Sequence, residues 1–222
     1  MKTKSLSGLS IDGCLCINLE KRTDRKKLLE KEFSQSGIKI EFIKAVAHSN
    51  PEQGCYESHR RCAQIALERN YKNVLILEDD ATLKQFSTHQ IKAINKTLKE
   101  KQPQIFYLGI ILGKLWLTWT LNIARCRGQG AHAYILSREA CRIVADKPFE
   151  GKAIDNFYSK NLRAYCVFPM LCEQQGGGKI SSDINPSNYK TEAEVKFWKK
   201  NNRKQYIEAL KNIDKSIFRI DL

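Results

Sequence analysis

Short apolar runs alternate with amphipathic stretches along the first half of the chain. Cys14 to Leu19 is a strand-like run that stops at the charged stretch Glu20 to Lys27, where Asp24 is placed to cap a helix. Leu28, Leu29 and Phe33 then recur near helical spacing and Gly37 ends the pattern, after which Ile38, Ile40, Phe42 and Val46 alternate as a second strand. This is the start of a βαβ unit. Ser58 is placed to open another helix through Ala63, Ala66 and Leu67, and Val74 to Leu77 reads as a buried parallel strand. A helix from about Leu83 to Lys99, strands Ile105 to Leu108 and Ala131 to Leu136, and a helix opened by Ser137 continue the alternation. The pattern predicts an α/β fold with a mainly parallel central sheet flanked by helices.

Residues 105 to 124 carry one charge, Lys114, and so raise the question of a membrane span. Leu115, Leu117, Trp119, Leu121 and Ile123 alternate with Trp116, Thr118, Thr120 and Asn122, which predicts a two-faced strand instead. Gly176, Gly177 and Gly178 break the chain, dividing it into a domain over 1–178 and a basic helical extension over 179–222. That extension is expected to be helical from Thr191, with Glu194 completing a capping box and Val195, Trp198, Tyr206, Leu210, Ile213 and Ile217 on one face.

Composition narrows the partners more than the fold. The 222 residues, 42% hydrophobic and 28% charged, suit one elaborated globular domain and exclude a disordered chain. A net charge of +14 implies an anionic partner: nucleic acid, a membrane surface or a phosphorylated small molecule. No zinc finger, RNP-type aromatic motif or Gly-Lys phosphate loop appears, so nucleic acid is not expected. Eight cysteines without a CxxC pair read as buried thiols, and Ser5, Ser7, Gly8, Ser10 and Asp12 interrupt any signal-peptide core, so the expected location is the cytoplasm. Lys196, Lys199, Lys200, Arg203 and Lys204, interleaved with Phe197, Trp198 and Tyr206, would suit the inner face of an anionic membrane; a core-packing helix with a solvated basic face explains the same pattern.

The strand Val74 to Leu77 ends abruptly in Glu78, Asp79 and Asp80. Ligand sites in open α/β sheets lie at carboxyl strand ends, and strand alternation puts Glu78 and Asp80 on one side with Asp79 on the other. Two carboxylates facing one way can hold Mn²⁺ or Mg²⁺, which bridges protein and diphosphate and stabilises charge on a departing phosphate. An ordinary helix cap is the alternative use of Asp79 or Asp80.

Cys16-Ile17-Asn18-Leu19 with Arg22, Asp24 and Arg25, then Gly54-Cys55-Tyr56-Glu57-Ser58-His59, then Leu75-Ile76-Leu77-Glu78-Asp79-Asp80 together resemble glycosyltransferase family 25. Tyr107-Leu108-Gly109, Gly130 to Ser137 and Ala153-Ile154-Asp155 resemble its remaining blocks in the same order, so the likeness runs over about residues 14 to 175. The resemblance implies a GT-A fold, a UDP-sugar donor, inversion at the anomeric carbon, and transfer of galactose to a saccharide or lipid-linked saccharide, as in lipooligosaccharide biosynthesis; another UDP-sugar is the alternative. It also implies that Asp80 and Glu78 hold the metal, that Glu78 and Asp79 approach the donor's ribose or sugar, and that Asp155 is the general base, although Asp155 would equally suit a helix cap.

Asn18, Arg22, Asp24 and Arg25 fall where such a fold receives uridine and diphosphate, with a solvated helix start as the alternative. Ser58 and His59, read as a helix start, would offer free amides to an anion or simply cap. Gly128, Gln129 and Gly130 could let the backbone approach the donor. His132 could touch phosphate or metal, although a histidine inside the apolar run Ala131 to Leu136 is more often a core residue. No histidine follows Asp155, so Glu173, Gln174 or water would complete the metal's ligands where relatives use a late histidine.

Overall fold

The central strands form because their side chains are apolar on both faces. In the computed structural model, which describes residues 2–175 and 191–218, Val74 and Ile76 enter one core cluster while Leu75 and Leu77 enter the other. The chain runs β1 (Lys2–Thr3), β2 (Gly13–Asn18), α1 (Thr23–Glu32), β3 (Ile40–Lys44), α2 (Pro51–Glu68), β4 (Asn73–Glu78), β5 (Ala81–Leu83), β6 (Phe86–Ser87) and α3 (Thr88–Lys101). It continues through β7 (Ile105–Tyr107), β8 (Leu112–Leu117), β9 (Ile123–Gln129), β10 (Ala133–Ser137), α4 (Arg138–Asp146), α5 (Ile154–Asn161), β11 (Ala164–Val167), β12 (Cys172–Gln174), α6 (Thr191–Lys211) and α7 (Ile213–Phe218). The expected glycine break and the boundary at 178 lie outside the described residues, as do the side chains of Thr191, Glu194 and Val195.

Eight strands form one sheet in the order β3-β2-β4-β10-β7-β11-β9-β8. One face carries α2, α4 and α5 with the core around Tyr134 and Tyr158; the other carries α1 and α3 with Leu29, Ile94 and Phe106. The α/β class expected from the alternation is the one observed, and the sheet is mixed. Parallel pairing joins β2 to β3 and β4, and β7 to β11, while β10 runs antiparallel to both β4 and β7. The carboxyl ends of β2, β3 and β4 therefore share one rim, which positions the site.

Several local expectations are corrected. Residues 115 to 123 are not one strand but the hairpin of β8 and β9. Thr118, Thr120 and Asn122 serve the turn: the Thr118 amide donates to Ile123 O, the Ile123 amide donates to Thr120 O, and Asn122 takes a left-handed φ of 66°. The tip leaves Trp119 and Leu121 80% and 81% exposed. Helix α3 starts at Thr88, not Leu83, because Ser87 and Gln90 form a reciprocal capping box. Helix α2 starts at Pro51, with the Asn50 side chain accepting from the amides of Glu52 and Gln53, so Ser58 lies inside the helix rather than opening it. Asp24 is not a cap either: Arg22 occupies the N-cap position of α1, and Asp24 sits in the first turn.

The face expected on the C-terminal helices splits in two. Trp198, Asn201, Gln205 and Ala209 of α6 turn inward, and the amides of Asn201 and Gln205 both donate to Ile110 O, at 3.1 and 2.7 Å. Tyr206, Leu210, Ile213 and Ile217 turn to the surface. Among the described residues no helix is long and apolar enough to cross a membrane.

Candidate active site

A cleft of about 560 Å³ opens at the shared rim of β2, β3 and β4. Its floor is the end of β4, and its walls are the start of α1, the segment 44–48 and the first turns of α2. The wall at α2 is close because position 54 is glycine: a Cβ on Gly54 would meet the Val46 carbonyl at 2.6 Å. Ser58, one turn on, donates to Gly54 O at 2.6 Å and accepts from the Val46 amide at 2.8 Å, pinning the 44–48 segment to the helix. This corrects the reading of Ser58 and His59 as a helix start with free amides; both are buried inside α2, and Ser58 is a brace.

The three acids at the end of β4 divide as the strand alternation requires. Asp79 turns back beneath α1, where Arg25 donates to its Oδ1 at 2.7 Å and Asn18 donates to its Oδ2 at 2.8 Å. Glu78 and Asp80 turn the other way, where the Gln174 amide donates to both, at 3.2 and 3.5 Å. Burial pushes the Asp80 carboxyl up to about 7, and the charge of Glu78 adds to the rise. Burial also opposes charge on Glu78, but the hydrogen bond and charge of His59, with smaller help from His132 and Arg25, together hold Glu78 below its ordinary value. Burial raises Asp79, with Arg25 and Asn18 pulling it back. A pair of carboxylates sharing one amide, with one of them reluctant to ionise, is a donor set that a hard divalent cation would satisfy.

His59 reaches Glu78 Oε1 through Nε2 at 3.2 Å, while its Nδ1 meets the Tyr134 hydroxyl at 2.7 Å, itself 3.0 Å from the Tyr158 hydroxyl. The ring is thus oriented from behind by two buried tyrosines.

The cleft gathers Arg25, Ser58, His59, Glu78, Asp79 and Asp80 from the sequence-predicted residues. Asn18 stands behind it, holding Asp79 and the Arg22 carbonyl. Arg22 and Asp24 do not line it, because Arg22 forks onto the Asp24 carboxylate with two bonds of 3.0 Å. That bond holds the Asp24 carboxyl down to about 2. Gly128, Gln129 and Gly130 end β9 and do not line the cleft; Gly128 packs on Ile110 and Gly130 takes a left-handed φ. His132 is a core residue: it is fully buried, its ring edges against Trp198 at 5.6 Å, and burial lowers its pKa. Asp155 is the second residue of α5, makes no side-chain cap, and accepts the Gly130 amide at 3.1 Å.

Of Glu173 and Gln174, offered by the sequence as further ligands, it is Gln174 whose amide comes to the acids, from β12 and 96 residues after Glu78. Other wall residues are not singled out by the sequence. Lys44 and His48 reach the wall from the end of β3. Cys55 faces the cleft one turn before His59, and their four-residue spacing on an amphipathic helix was the available signal.

Residues 47–126, which include the α2 wall and the acidic rim, match the family model described as glycosyltransferase family 25 (LPS biosynthesis protein). A glycosyltransferase 25 family member from Drosophila melanogaster is 26% identical over 137 residues, covering 49% of this chain and 22% of the relative. Its counterpart in Drosophila pseudoobscura pseudoobscura is 25% identical over 138 residues with the same coverage. The alignment thus spans about a fifth of the length of these curated relatives. Among solved structures, a glycosyltransferase involved in the glycosylation of the major capsid of PBCV-1 is similar at a TM-score of 0.37 and 14% identity, over 60% of this chain and 62% of that one. The rim acids and the braced α2 wall lie within the matched stretch, and these matches agree in making the chain similar to glycosyltransferase family 25.

Proposed function

We propose that the chain is a GT-A-type, inverting glycosyltransferase that binds a UDP-sugar in the rim cleft and transfers the sugar, galactose in the first instance, to a saccharide acceptor. The observation that carries this reading is the pairing of Glu78 and Asp80 on one side of the rim under a single Gln174 amide. These carboxylates would hold Mn²⁺ or Mg²⁺, which when bound offsets the negative charge of the diphosphate and of the departing UDP. Arg25 neutralises Asp79 and stands 3.8 Å from Asp80, so the rim is not left with three unopposed charges facing an anionic donor. Lys21 and Lys44 also stand on the walls, Lys44 paired with Glu20 at 2.6 Å, where an incoming phosphate could exchange for that carboxylate. A panel of UDP-sugars assayed with Mn²⁺ for binding and hydrolysis tests the reading: preference for UDP-galactose supports it, preference for another sugar overturns the galactose assignment, and binding of none overturns the donor.

Asp155 is the proposed base, taking the acceptor hydroxyl's proton as the new bond forms. Its bond to the Gly130 amide orients the carboxylate. Asp155→Asn is expected to lower turnover by about 10²–10⁴-fold while the donor's dissociation constant stays within about threefold. An unchanged rate would remove Asp155 from the reaction.

A lipid-linked acceptor would bring the protein to an anionic bilayer at the cytoplasmic face, and the C-terminal surface suits that contact. Lys196, Lys199, Arg203, Tyr206, Leu210, Ile213 and Ile217 fall on one stripe at alternating spacings of three and four, cationic first and apolar after, all exposed. The Tyr206 and Phe168 rings meet at 4.8 Å, tilted by 56°, and the Phe168 backbone is bonded to Asn122, so the turn that carries Trp119 and Leu121 adjoins the stripe at Tyr206. Replacing Trp119, Leu121 and Leu210 together by Ser is expected to weaken sedimentation with anionic phospholipid vesicles by about tenfold or more without changing the melting temperature. Equal binding by the variant, or equal binding to zwitterionic vesicles, would refute the contact.

A further inference from the structure

We propose that Cys55, His59 and Glu78 form a second cation site on the cleft wall, suited to Zn²⁺, and that its occupancy competes for Glu78 with the sugar-nucleotide metal. The binding claim stands alone; its inhibitory consequence rests on the donor reading above.

Cys55 and His59 are four residues apart on α2, so their side chains stack on one face of the helix. The end of β4 brings Glu78 opposite them, and one sulfur, one nitrogen and one oxygen donor atom lie within 4.8 Å of one another. A mixed sulfur, nitrogen and oxygen set favours a borderline cation such as Zn²⁺, whereas Mg²⁺ prefers the all-oxygen set of Glu78 and Asp80. The two sets share only Glu78.

The surroundings are those of a prepared ligand. The Tyr134 hydroxyl engages His59 Nδ1 and leaves Nε2 aimed at Glu78, an orientation that backing hydrogen bonds give to metal-bound histidines. Without a cation, a proton bridges Nε2 and the Glu78 carboxylate at 3.2 Å. A divalent ion would take that position as the ring adopts the tautomer with its proton on Nδ1, donated to the Tyr134 hydroxyl, and the Cys55 thiol proton would leave to solvent as the sulfur bound. All three residues line the cleft, so a fourth coordination position would face open volume. Of the eight free cysteines, Cys55 is the one that is not buried.

Cobalt provides the test, because a thiolate ligand gives Co²⁺ a charge-transfer band that oxygen ligands do not. Titration of the full chain with Co²⁺ is expected to raise this band and Zn²⁺ to abolish it. Asp80→Asn should keep the band, with Zn²⁺ affinity changed by less than about threefold; Cys55→Ser should lose it and bind Zn²⁺ at least about tenfold more weakly in competition with a chromophoric chelator. Should Cys55→Ser fail to fold, the native chain still decides: Zn²⁺ is expected to slow alkylation of Cys55 by iodoacetamide at least about tenfold. Absence of the band, undiminished Zn²⁺ affinity in Cys55→Ser, loss of the band in Asp80→Asn, or alkylation that Zn²⁺ does not slow would each overturn the site. A chain that shows the cobalt band but binds no UDP-sugar would sink the donor reading and leave this one standing.

Discussion

Asp80→Asn is expected to lower metal-dependent sugar transfer by about 10²-fold or more, while the apo protein folds as well as the native chain or better. The amide keeps the shape and can still meet Gln174, but it offers a divalent ion no charge, and stabilisation of charge at a leaving group is commonly the largest contribution to such a rate. Stability moves the other way because Asp80 is held against Glu78 in a largely buried rim, with its carboxyl raised to about 7. The folded value lies above the ordinary unfolded value of about 3.9, so the folded state binds this proton more tightly than the unfolded state does. The stabilisation is therefore complete below about pH 4 and is lost as the pH rises toward 7. Thermal melts in chelator should show the native chain losing stability over that window at this site, with a shallower loss in Asp80→Asn. Mn²⁺ should raise the melting temperature of the native chain at pH 8 and leave the variant nearly unmoved. Turnover undiminished in Asp80→Asn would remove Asp80 from the metal site.

What could be read in advance followed burial. Strands β2, β4 and β10 are apolar on both faces, so their runs stand out as blocks. The acidic triplet was legible because it ends such a block and because alternation sorts its three members. The β8–β9 hairpin was not, since Thr118, Thr120 and Asn122 mimic the polar face of a strand while serving a turn. The start of α2 was written in Asn50-Pro51, but Ser58 is an equally good capping residue by type, and only the packing of the 44–48 segment shows that its hydroxyl braces a loop instead. Partners distant in sequence were out of reach of local pattern: nothing local ties Arg25 to Asp79, 54 residues on, and Gln174 was reached through the family resemblance alone.

The Arg25 to Asp79 contact carries the largest expected cost in stability. Their side chains are 10% and 9% exposed, and the 2.7 Å bond joins the first turn of α1 to the end of β4. Removing either partner strands a largely buried charge, which costs up to about 3–5 kcal/mol, more than the intact pair contributes over a neutral, well-packed substitute. Asp79→Ala should therefore lower the urea midpoint far more than Asp79→Asn, whose amide oxygen can still accept from Arg25. It should also release Arg25 toward Asp80, which already lies 3.8 Å away. A guanidinium moved onto Asp80 would oppose the cation, so Asp79→Ala is expected to weaken Mn²⁺ binding even in the fraction that stays folded. Asp79→Ala with a native urea midpoint would show that Arg25 finds water or another anion when its partner is removed. In that case α1 is held by Leu29 and Phe33 in the core rather than by the ion pair.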